Sequence, residues 1–298
     1  MPTRALDTRL APTAPDPLDP DGCGIPREFL LTDADFEHLQ QLVRRHIGIS
    51  LADSKRNLVY SRLSRRLRRL GLSTFADYCT LLAEDGSPER QEFINAITTN
   101  LTSFFREGHH FEYLAQTVLP IAIARNAATR RLRIWSAGCS TGEEPYSIAM
   151  VVREAGVSLR DWDVRILATD VDSSVLATAA SGVYPAERLS GVDRRRRERW
   201  LRAAGLDGLR VAPEIASLIT FRQLNLVESW PMRGPFDVVF CRNVIIYFDK
   251  ATQRTLFERL ADLQPPGAHL FVGHSENLAR LTERYRLLTK TTYERVPD

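Results

Sequence analysis

The sequence predicts an α/β protein in which a doubly wound, mainly parallel sheet follows a small all-helical region. Two observations support this fold class. Residues 30–98 carry apolar side chains at helical spacing and contain no strand-like run. From Arg131 onward, short apolar runs alternate with amphipathic helical stretches, a pattern typical of a parallel sheet that is covered by helices on both faces.

Length and composition agree with a globular protein of about two domains. The 298 residues include 40 basic and 37 acidic side chains, and the net charge of +3 does not by itself indicate nucleic acid. No uncharged apolar run approaches the ~18 residues of a membrane span. The four cysteines are scattered without a C-x-x-C pair. We therefore expect reduced thiols, no metal centre and a cytoplasmic protein without membrane insertion.

The region before the sheet divides into a tail and a helical domain. Residues 1–27 are rich in proline and lack a hydrophobic period, which predicts a flexible tail. Residues 28–98 are predicted to form the helical domain. Its first helix begins at Thr32, which forms a capping-box pattern with Asp35, and ends at Gly48. Three further helices are predicted after it. The first of these three covers residues 55–70 and has a predicted buried stripe of Leu58, Leu63, Leu67 and Leu70.

The remaining residues, 99–298, are predicted to form the α/β domain. Residues 99–130 form its linker and first motif, with a helix over about 108–125 that Pro120 disturbs. Strand-like runs cover 132–136, 164–169, 219–224, 236–240 and 270–273, and residues 287–295 predict one edge strand. Between residues 184 and 219 the alternation pauses, so we interpret this segment as an insertion.

Glycine and polar residues follow four of the predicted strands, at the edge where parallel sheets bind ligands. Gly138 and Gly142 allow a tight strand-to-helix turn after the first strand. Asp170 follows the second strand, where a carboxylate can accept both hydroxyls of a ribose. The third and fourth strands are followed by Asn225, Leu226, Asn243 and Val244. Asparagine amides at such positions suit an adenine or an amino-acid head group.

Each of these features alone has a plain structural explanation. A tight turn accounts for the two glycines, and an aspartate after a strand often caps the next helix. The G-x-x-x-G spacing of Gly138 and Gly142 also differs from the dinucleotide fingerprint, and no Walker lysine follows it. The convergence of four features on one sheet edge is what favours a nucleoside-type ligand.

Five segments together resemble one family. They read TNLTSFFRE (99–107), SAGCSTGEEPYS (136–147), ATDVD (168–172), FDVVFCRNVIIYF (236–248) and GHSEN (273–277). In order and spacing they resemble the CheR family, whose members use S-adenosylmethionine to methylate glutamate side chains of chemotaxis receptors. The resemblance extends from about residue 28 to residue 295, and it leaves only the tail outside.

The resemblance implies a Rossmann-like class I methyltransferase domain with a small antiparallel β insertion, preceded by the all-helical domain. It implies S-adenosylmethionine as cofactor and S-adenosylhomocysteine as product. The implied catalytic neighbourhood is Arg106 and Tyr247. The alternatives are a structural ion pair of Arg106 with Glu107 or another acid, and a place for Tyr247 in an aromatic wall of the core. The cofactor-binding residues are Asn100, Thr102, Arg106, Gly138, Glu144, Asp170, Asn225, Leu226, Asn243 and Val244.

The helix over 55–70 carries seven basic residues and no acid. Helical spacing puts Arg62, Arg65, Arg66 and Arg69 on a shared face. We predict that this face is an electrostatic docking surface for the acidic cytoplasmic domain of a methyl-accepting receptor. A solvated face is the alternative, and the lack of interleaved aromatic residues disfavours nucleic acid.

The functional hypothesis is a monomeric protein-glutamate O-methyltransferase. A glutamate carboxylate has a reference pKa of ~4.3 and is already ionised near pH 7, so the reaction needs no general base. Two alternatives stay open at this point. One is a methyltransferase of the same fold that acts on another acidic protein, and the other is a cofactor-binding signalling module without turnover.

Overall fold

The computed structural model of the chain describes residues 28–156, 161–205 and 208–298. The predicted tail, residues 1–27, lies outside the described residues. Within the described ranges, no helix combines the length and apolar content needed to cross a bilayer. The predicted fold class is confirmed: an all-helical region precedes a mixed sheet with a parallel core, and a small antiparallel sheet is inserted into it.

The helical region contains four α-helices and one 3-10 turn. Their bounds are α1 Asp33–Ile47, the 3-10 turn Asp53–Lys55, α2 Arg56–Leu70, α3 Phe75–Ala83 and α4 Glu89–Ile97. The predicted capping box at Thr32 is present, because its side chain accepts from the backbone of Asp35 while the Asp35 carboxylate accepts from the Thr32 backbone. Gly48 ends α1 in the left-handed conformation, as predicted.

The buried stripe of α2 differs from the predicted one. Leu63 and Leu67 are fully buried, whereas Leu58 and Leu70 are exposed. Val59 takes the inward position near the helix start instead. Heptad-like spacing cannot distinguish these faces, because the apolar stripe of an α-helix is wide enough to include either residue.

A long bent helix joins the helical region to the sheet. It consists of α5 His109–Tyr113, a π-helical turn Leu114–Val118 and α6 Leu119–Arg125. The predicted disturbance by Pro120 is therefore a π turn that ends beside the proline. A proline ring collides with the carbonyl four residues earlier, and the wider π turn relieves that collision.

The main sheet has seven strands in the order β6-β2-β1-β7-β8-β10-β9. The first five of these are parallel to one another, and β10 is antiparallel to both β8 and β9. Alternate residues of the strands feed separate cores on the two faces. Ile134 and Val238 belong to one core, and Trp135 and Val239 belong to the other. The strands are β1 Arg131–Ala137, β2 Asp163–Asp170, β6 Ile219–Gln223, β7 Val238–Cys241, β8 His269–Val272, β9 Tyr285–Thr289 and β10 Thr292–Arg295.

The helices that connect these strands are α7, α8 and α11. They span Glu143–Glu154, Ser173–Ser181 and Lys250–Asp262. A 3-10 turn, Ile245–Tyr247, follows β7 after a loop of three residues. Each parallel strand of the centre thus ends in a loop that leads to a helix, and these loops lie together at the carboxyl edge of the sheet.

The prediction of a single edge strand over residues 287–295 is wrong. The chain forms a hairpin of β9 and β10 there, because Lys290 takes a left-handed φ of 38° and reverses the direction. A lysine at this turn gives no sequence signal, since glycine or asparagine is the usual residue at positive φ.

The insertion contains a three-stranded antiparallel sheet in the order β3-β5-β4. Two short helices and a 3-10 turn accompany it, and the run Arg194–Arg197 lies in the first of these helices. Residues 206 and 207, in the predicted insertion, lie outside the described residues. The elements are β3 Val183–Pro185, the 3-10 turn Ala186–Leu189, α9 Arg194–Trp200, β4 Leu201–Ala204, β5 Gly208–Val211 and α10 Pro213–Ala216.

Candidate active site

A cavity of about 510 Å³ lies at the carboxyl edge of the parallel strands. Its walls come from the loops after β1, β2, β6 and β7, and the helical region covers it with residues between Ile47 and Leu58. The size is that of a small-molecule site. All of the sequence-predicted cofactor and catalytic residues line this cavity: Asn100, Thr102, Arg106, Gly138, Glu144, Asp170, Asn225, Leu226, Asn243, Val244 and Tyr247.

The loop after β1 approaches the loop after β7 very closely at Gly138. This glycine has a φ of +86°, and a Cβ built on it would lie 2.3 Å from Cγ2 of Val244. Only glycine allows both the left-handed backbone and this contact. The backbone N–H groups of Gly138 and Cys139 donate to the carbonyl of Thr169 at 2.8 and 2.9 Å, so the loop is also fixed to the end of β2.

Asp170 is the last residue of β2 and is buried in the cavity wall. Its Oδ2 accepts from the Ser140 backbone N–H at 2.8 Å, and its Oδ1 accepts from the Asp172 backbone N–H at 3.0 Å. Burial raises the pKa of Asp170 to about 6, although these backbone donors oppose the rise. Each oxygen keeps further acceptor capacity for a hydroxyl donor in the cavity.

Asn100 contributes a cavity wall, and its amide is used inside the protein. The side-chain amide donates to Oδ2 of Asp172 at 2.6 Å, and the backbone carbonyl of Asn100 accepts from the Ser140 hydroxyl at 2.9 Å. Asp172 also caps α8 through its other oxygen. Asp172 therefore joins the segment after α4 to the two strand-end loops, a role that the sequence analysis did not assign to it although it belongs to the ATDVD motif.

Glu144 and Arg242 form a buried ion pair in the cavity wall. Oε2 of Glu144 lies 3.0 Å from Nη1 of Arg242, and Oε1 accepts from the Ser136 hydroxyl at 2.7 Å. Burial raises the pKa of Glu144, and Arg242 offsets part of that rise. The guanidinium also donates to the backbone carbonyl of Arg106 at 2.6 Å and lies 3.4 Å from Oε2 of Glu107. Arg242 was not among the predicted site residues, although it lies in the fourth motif.

The two predicted catalytic side chains lie in the same cavity. Nη1 of Arg106 donates to the carbonyl of Leu101 at 2.7 Å. Within the part of the chain that the structure describes, Arg106 forms no ion pair, so the alternative of a pair with Glu107 is wrong. Tyr247 is half-buried, and its carbonyl accepts from the Ser50 backbone N–H of the helical region at 2.8 Å.

The loop after β7 is held from behind by Glu276. Its carboxylate accepts from the backbone N–H groups of Gly273, Asn243, Val244 and Ile245 at distances of 2.5 to 2.9 Å. Burial raises the pKa of Glu276, and these four donors lower it. Glu276 fixes the predicted cofactor residues Asn243 and Val244 without lining the cavity itself. In the sequence, it is marked by the GHSEN motif.

On the opposite wall, Asn225 and Leu226 follow β6. The Asn225 amide donates to the carbonyl of His46 at 2.5 Å and to Glu228 at 3.0 Å. Leu226 is buried and packs in the core that contains Trp135. Asn225 thus fastens the end of α1 over the cavity in the ligand-free chain.

Strained backbone concentrates in the same loops. Seven described residues other than glycine have positive φ values, and four of them belong to the segments around the cavity: Phe105, Glu107, Ser140 and Asn243. Such conformations cost about 1–3 kcal/mol each and persist only where the surroundings enforce them. The hydrogen bonds of Asp170, Arg242 and Glu276 supply that enforcement.

The predicted docking face of α2 is partly occupied by contacts within the chain. Nη1 of Arg62 donates to the carbonyls of Ala96, Ile97 and Thr98 at the end of α4. Arg66 pairs with Glu89 at 2.6 Å and with Glu92 at 2.9 Å. The expectation that these two arginines face a partner is therefore corrected: they satisfy the C-terminus of α4 and a buried acid. Arg65 and Arg69 are exposed.

A cluster of Glu107, His109 and His110 lies behind the Arg106 loop. One potential ligand atom of each lies within 4.8 Å of the others. Burial lowers the pKa of His110 to about 3, so its imidazole is neutral near pH 7. The guanidinium of Arg242 already lies 3.4 Å from Glu107, and a cation there opposes the binding of a metal ion. The expectation of no metal centre remains a prediction.

Comparison with known proteins identifies the family. A family model described as "CheR methyltransferase, all-alpha domain" matches residues 34–98, and one described as "CheR methyltransferase, SAM binding domain" matches residues 100–294. "Chemotaxis protein methyltransferase 2" of Pseudomonas aeruginosa is 48% identical over 271 residues, which cover 90% of this chain and 95% of the relative. "Chemotaxis protein methyltransferase" of Escherichia coli is 45% identical over 272 residues, which cover 88% and 91%. The chain belongs to the CheR methyltransferase family.

Proposed function

We propose that this chain transfers the methyl group of S-adenosylmethionine to glutamate side chains in the cytoplasmic domain of a methyl-accepting chemotaxis receptor. The products are a glutamate methyl ester and S-adenosylhomocysteine, and we expect the enzyme to act as a cytoplasmic monomer. One observation carries the proposal: a single cavity contains every predicted cofactor residue together with Arg106 and Tyr247. The names of the relatives, which cover most of both chains, support the same activity.

The lining of the cavity fits S-adenosylmethionine. The buried carboxylate of Asp170 can accept the ribose hydroxyls, and Glu144 gives the site a second acid. Leu226 and Val244 offer apolar surfaces on two walls for a flat base. Gly138 lets the loop after β1 lie directly against Val244, because no Cβ fits between them. When bound, S-adenosylmethionine supplies a methyl group that is activated by its sulfonium charge.

The protein's own residues have to orient the acceptor and exclude water. The acceptor carboxylate is ionised near pH 7, so no proton has to be removed from it. Arg106 can hold a carboxylate with its planar fork of donors, since it forms no ion pair with the described residues. Such alignment accounts for about 7–11 kcal/mol in well-oriented intramolecular reactions. Tyr247 and the helical region both contribute to the lining, and their cover would reduce the access of water to the reacting groups.

The exposed arginines of α2 support an acidic protein as the acceptor. Arg65 and Arg69 form no ion pair with residues 28–156, 161–205 or 208–298. Surface attraction of this kind acts over ~8–10 Å at physiological salt and weakens as salt is added. An acidic receptor helix therefore gains electrostatic attraction near the cavity, and its methylation rate should fall at high ionic strength.

The experiment is transfer of labelled methyl groups from S-adenosylmethionine to membranes that contain a receptor of the same organism. We expect protein-bound label that alkali releases as methanol, because a glutamate ester is base-labile. Asp170→Ala is the negative control, and the double variant Arg65→Glu/Arg69→Glu should raise the KM for receptor without changing the affinity for S-adenosylhomocysteine. Absence of base-labile label with the folded wild-type protein would refute the proposal.

A further inference from the structure

Three exposed aliphatic side chains surround the mouth of the cavity. Leu101 is 80% exposed, Ile246 is 47% exposed and Leu58 is 37% exposed, and all three line the cavity. They come from separate segments: α2, the loop after α4 and the 3-10 turn after β7. Exposed aliphatic residues that are scattered singly are ordinary, but convergence on one opening marks a contact surface. We refer to Leu58, Leu101 and Ile246 as the apolar rim.

The apolar rim is attached directly to the two predicted catalytic residues. The carbonyl of Leu101 accepts the hydrogen bond from Nη1 of Arg106 at 2.7 Å, so the Leu101 side chain points outward from the point where Arg106 is held. Ile246 precedes Tyr247 in the same 3-10 turn, in which Ile245 is buried and Ile246 is exposed. A carboxylate bound at Arg106 and Tyr247 therefore lies in a cavity whose lining also includes these two exposed aliphatic side chains.

The third rim residue connects the opening to the basic surface of α2. Leu58 lies three residues after Lys55, which also lines the cavity. Leu58, Arg65 and Arg69 lie at positions i, i+7 and i+11 of one helix, so they share a face. An apolar contact therefore borders a positively charged one. A partner that is complementary to both has acidic side chains with nonpolar residues among them.

We propose that the apolar rim binds nonpolar side chains that flank the acceptor glutamate on an acidic amphipathic helix. This inference rests on the proposed function and names what that site selects. Residues three or four positions from a glutamate share its helix face, so a nonpolar side chain there meets the rim when the carboxylate enters the cavity. The rim thereby favours a glutamate with nonpolar neighbours on its helix face over an acidic residue whose helix neighbours are polar.

The test measures receptor methylation and cofactor binding on rim variants with matched controls. Leu101→Ser and Ile246→Ser remove the contact singly and together. Ile121→Ser is the control, because Ile121 is 46% exposed on α6 and lies outside the cavity lining. Burial of one aliphatic side chain corresponds to about tenfold in affinity. We expect each rim variant to lower kcat/KM for receptor by about tenfold while its Kd for S-adenosylhomocysteine stays within about twofold of wild type.

A second arm changes the acceptor. In the receptor, the nonpolar residues three and four positions from a methylated glutamate are replaced by serine, and the variants are combined with Ile246→Ser in a double-mutant cycle. If the residues touch, the combined loss is smaller than the product of the single losses. Wild-type efficiency of the Leu101→Ser/Ile246→Ser enzyme would overturn the inference and leave the proposed function intact. Loss of S-adenosylhomocysteine binding would also overturn it, since the rim would then belong to the cofactor site. If wild-type enzyme gives no base-labile label, the proposed function itself fails.

Discussion

The carboxylate of Asp170 connects the pH of the solution to cofactor binding. Burial raises its pKa to about 6 in the ligand-free chain, from an ordinary value of 3.8. The two ribose hydroxyls donate hydrogen bonds, and only an ionised carboxylate offers an acceptor at both of its oxygens. The ionised form of Asp170 is therefore the one that binds the ribose. Below pH 6 the carboxyl group has to release a proton before it can accept both hydroxyls. Affinity for S-adenosylhomocysteine should therefore be constant above about pH 7 and fall about tenfold per pH unit below 6.

The raised pKa of Asp170 has the opposite effect on the stability of the fold, which should increase as the pH falls. A folded-state pKa above the unfolded value means that the folded chain binds the proton more tightly, so stability rises as pH falls from about 6 toward 3.8. Each pH unit in that window corresponds to about 1.4 kcal/mol. Ionised Asp170 therefore costs the ligand-free fold about 3 kcal/mol at pH 7 relative to the protonated form. The folded protein keeps this unfavourable charge in the cavity, where the ligand can use it.

The assay compares wild type with Asp170→Asn, because other buried groups such as His110 titrate as well. Calorimetric titration with S-adenosylhomocysteine at pH 5, 6, 7 and 8 should show the pH dependence in wild type only, with the variant weak throughout. Urea unfolding at the same pH values should show wild type gaining on the variant as pH falls below 6. Equal Kd values for wild type at pH 5 and pH 8 would refute the assignment of Asp170 as the ribose acceptor with a raised pKa.

Three further predictions concern the groups around the cavity. Arg242→Met leaves the buried Glu144 and the half-buried Glu107 without their cation. We expect urea unfolding to show a loss of about 3–5 kcal/mol that Glu144→Gln in the same chain partly restores; an undiminished unfolding free energy would contradict the buried pair. Arg106→Lys removes the planar fork, so kcat should fall at least about tenfold while the melting temperature is retained; normal turnover would show that the fork is not used. Gly138→Ala forces a Cβ to 2.3 Å from Val244, and calorimetry should show weakened cofactor binding that Val244→Ala partly restores, whereas wild-type affinity would exclude the contact.

Strand ends were the most predictable part of this molecule. Apolar runs flanked by glycine and polar residues indicated β1, β2, β6 and β7 closely enough to put their following loops at one edge, because parallel strands leave no choice of edge. The capping box at Thr32 and the glycine stop at Gly48 were equally local signals. The strand-end residues of the cavity then follow from order along the chain, whereas Asn100, Thr102, Arg106, Glu144 and Tyr247 came from the family resemblance.

Side-chain contacts between residues that are far apart in the sequence were not predictable in this way. Arg62 and Arg66 occupy a basic helix face by spacing, yet the acceptors that engage them lie on α4, 23 to 36 residues away. Leu58 follows the apolar spacing of α2, yet the neighbouring Val59 is the residue that packs inside. Both outcomes depend on how α2 and α4 are rotated against each other, and a single sequence carries no measure of that rotation.

The residues that face the cavity and the residues that hold them divide by chemistry. Those that hold the loops are charged side chains with backbone partners: Glu276 accepts four N–H groups, and Arg242 donates to the carbonyl of Arg106. A buried charge that is satisfied by backbone groups fixes a loop without side-chain entropy on the other half of the contact. Positive φ values at Glu107 and Asn243 persist because these bonds oppose their relaxation. Contacts within the chain therefore set the shape of these loops, and binding energy remains available to align the acceptor carboxylate.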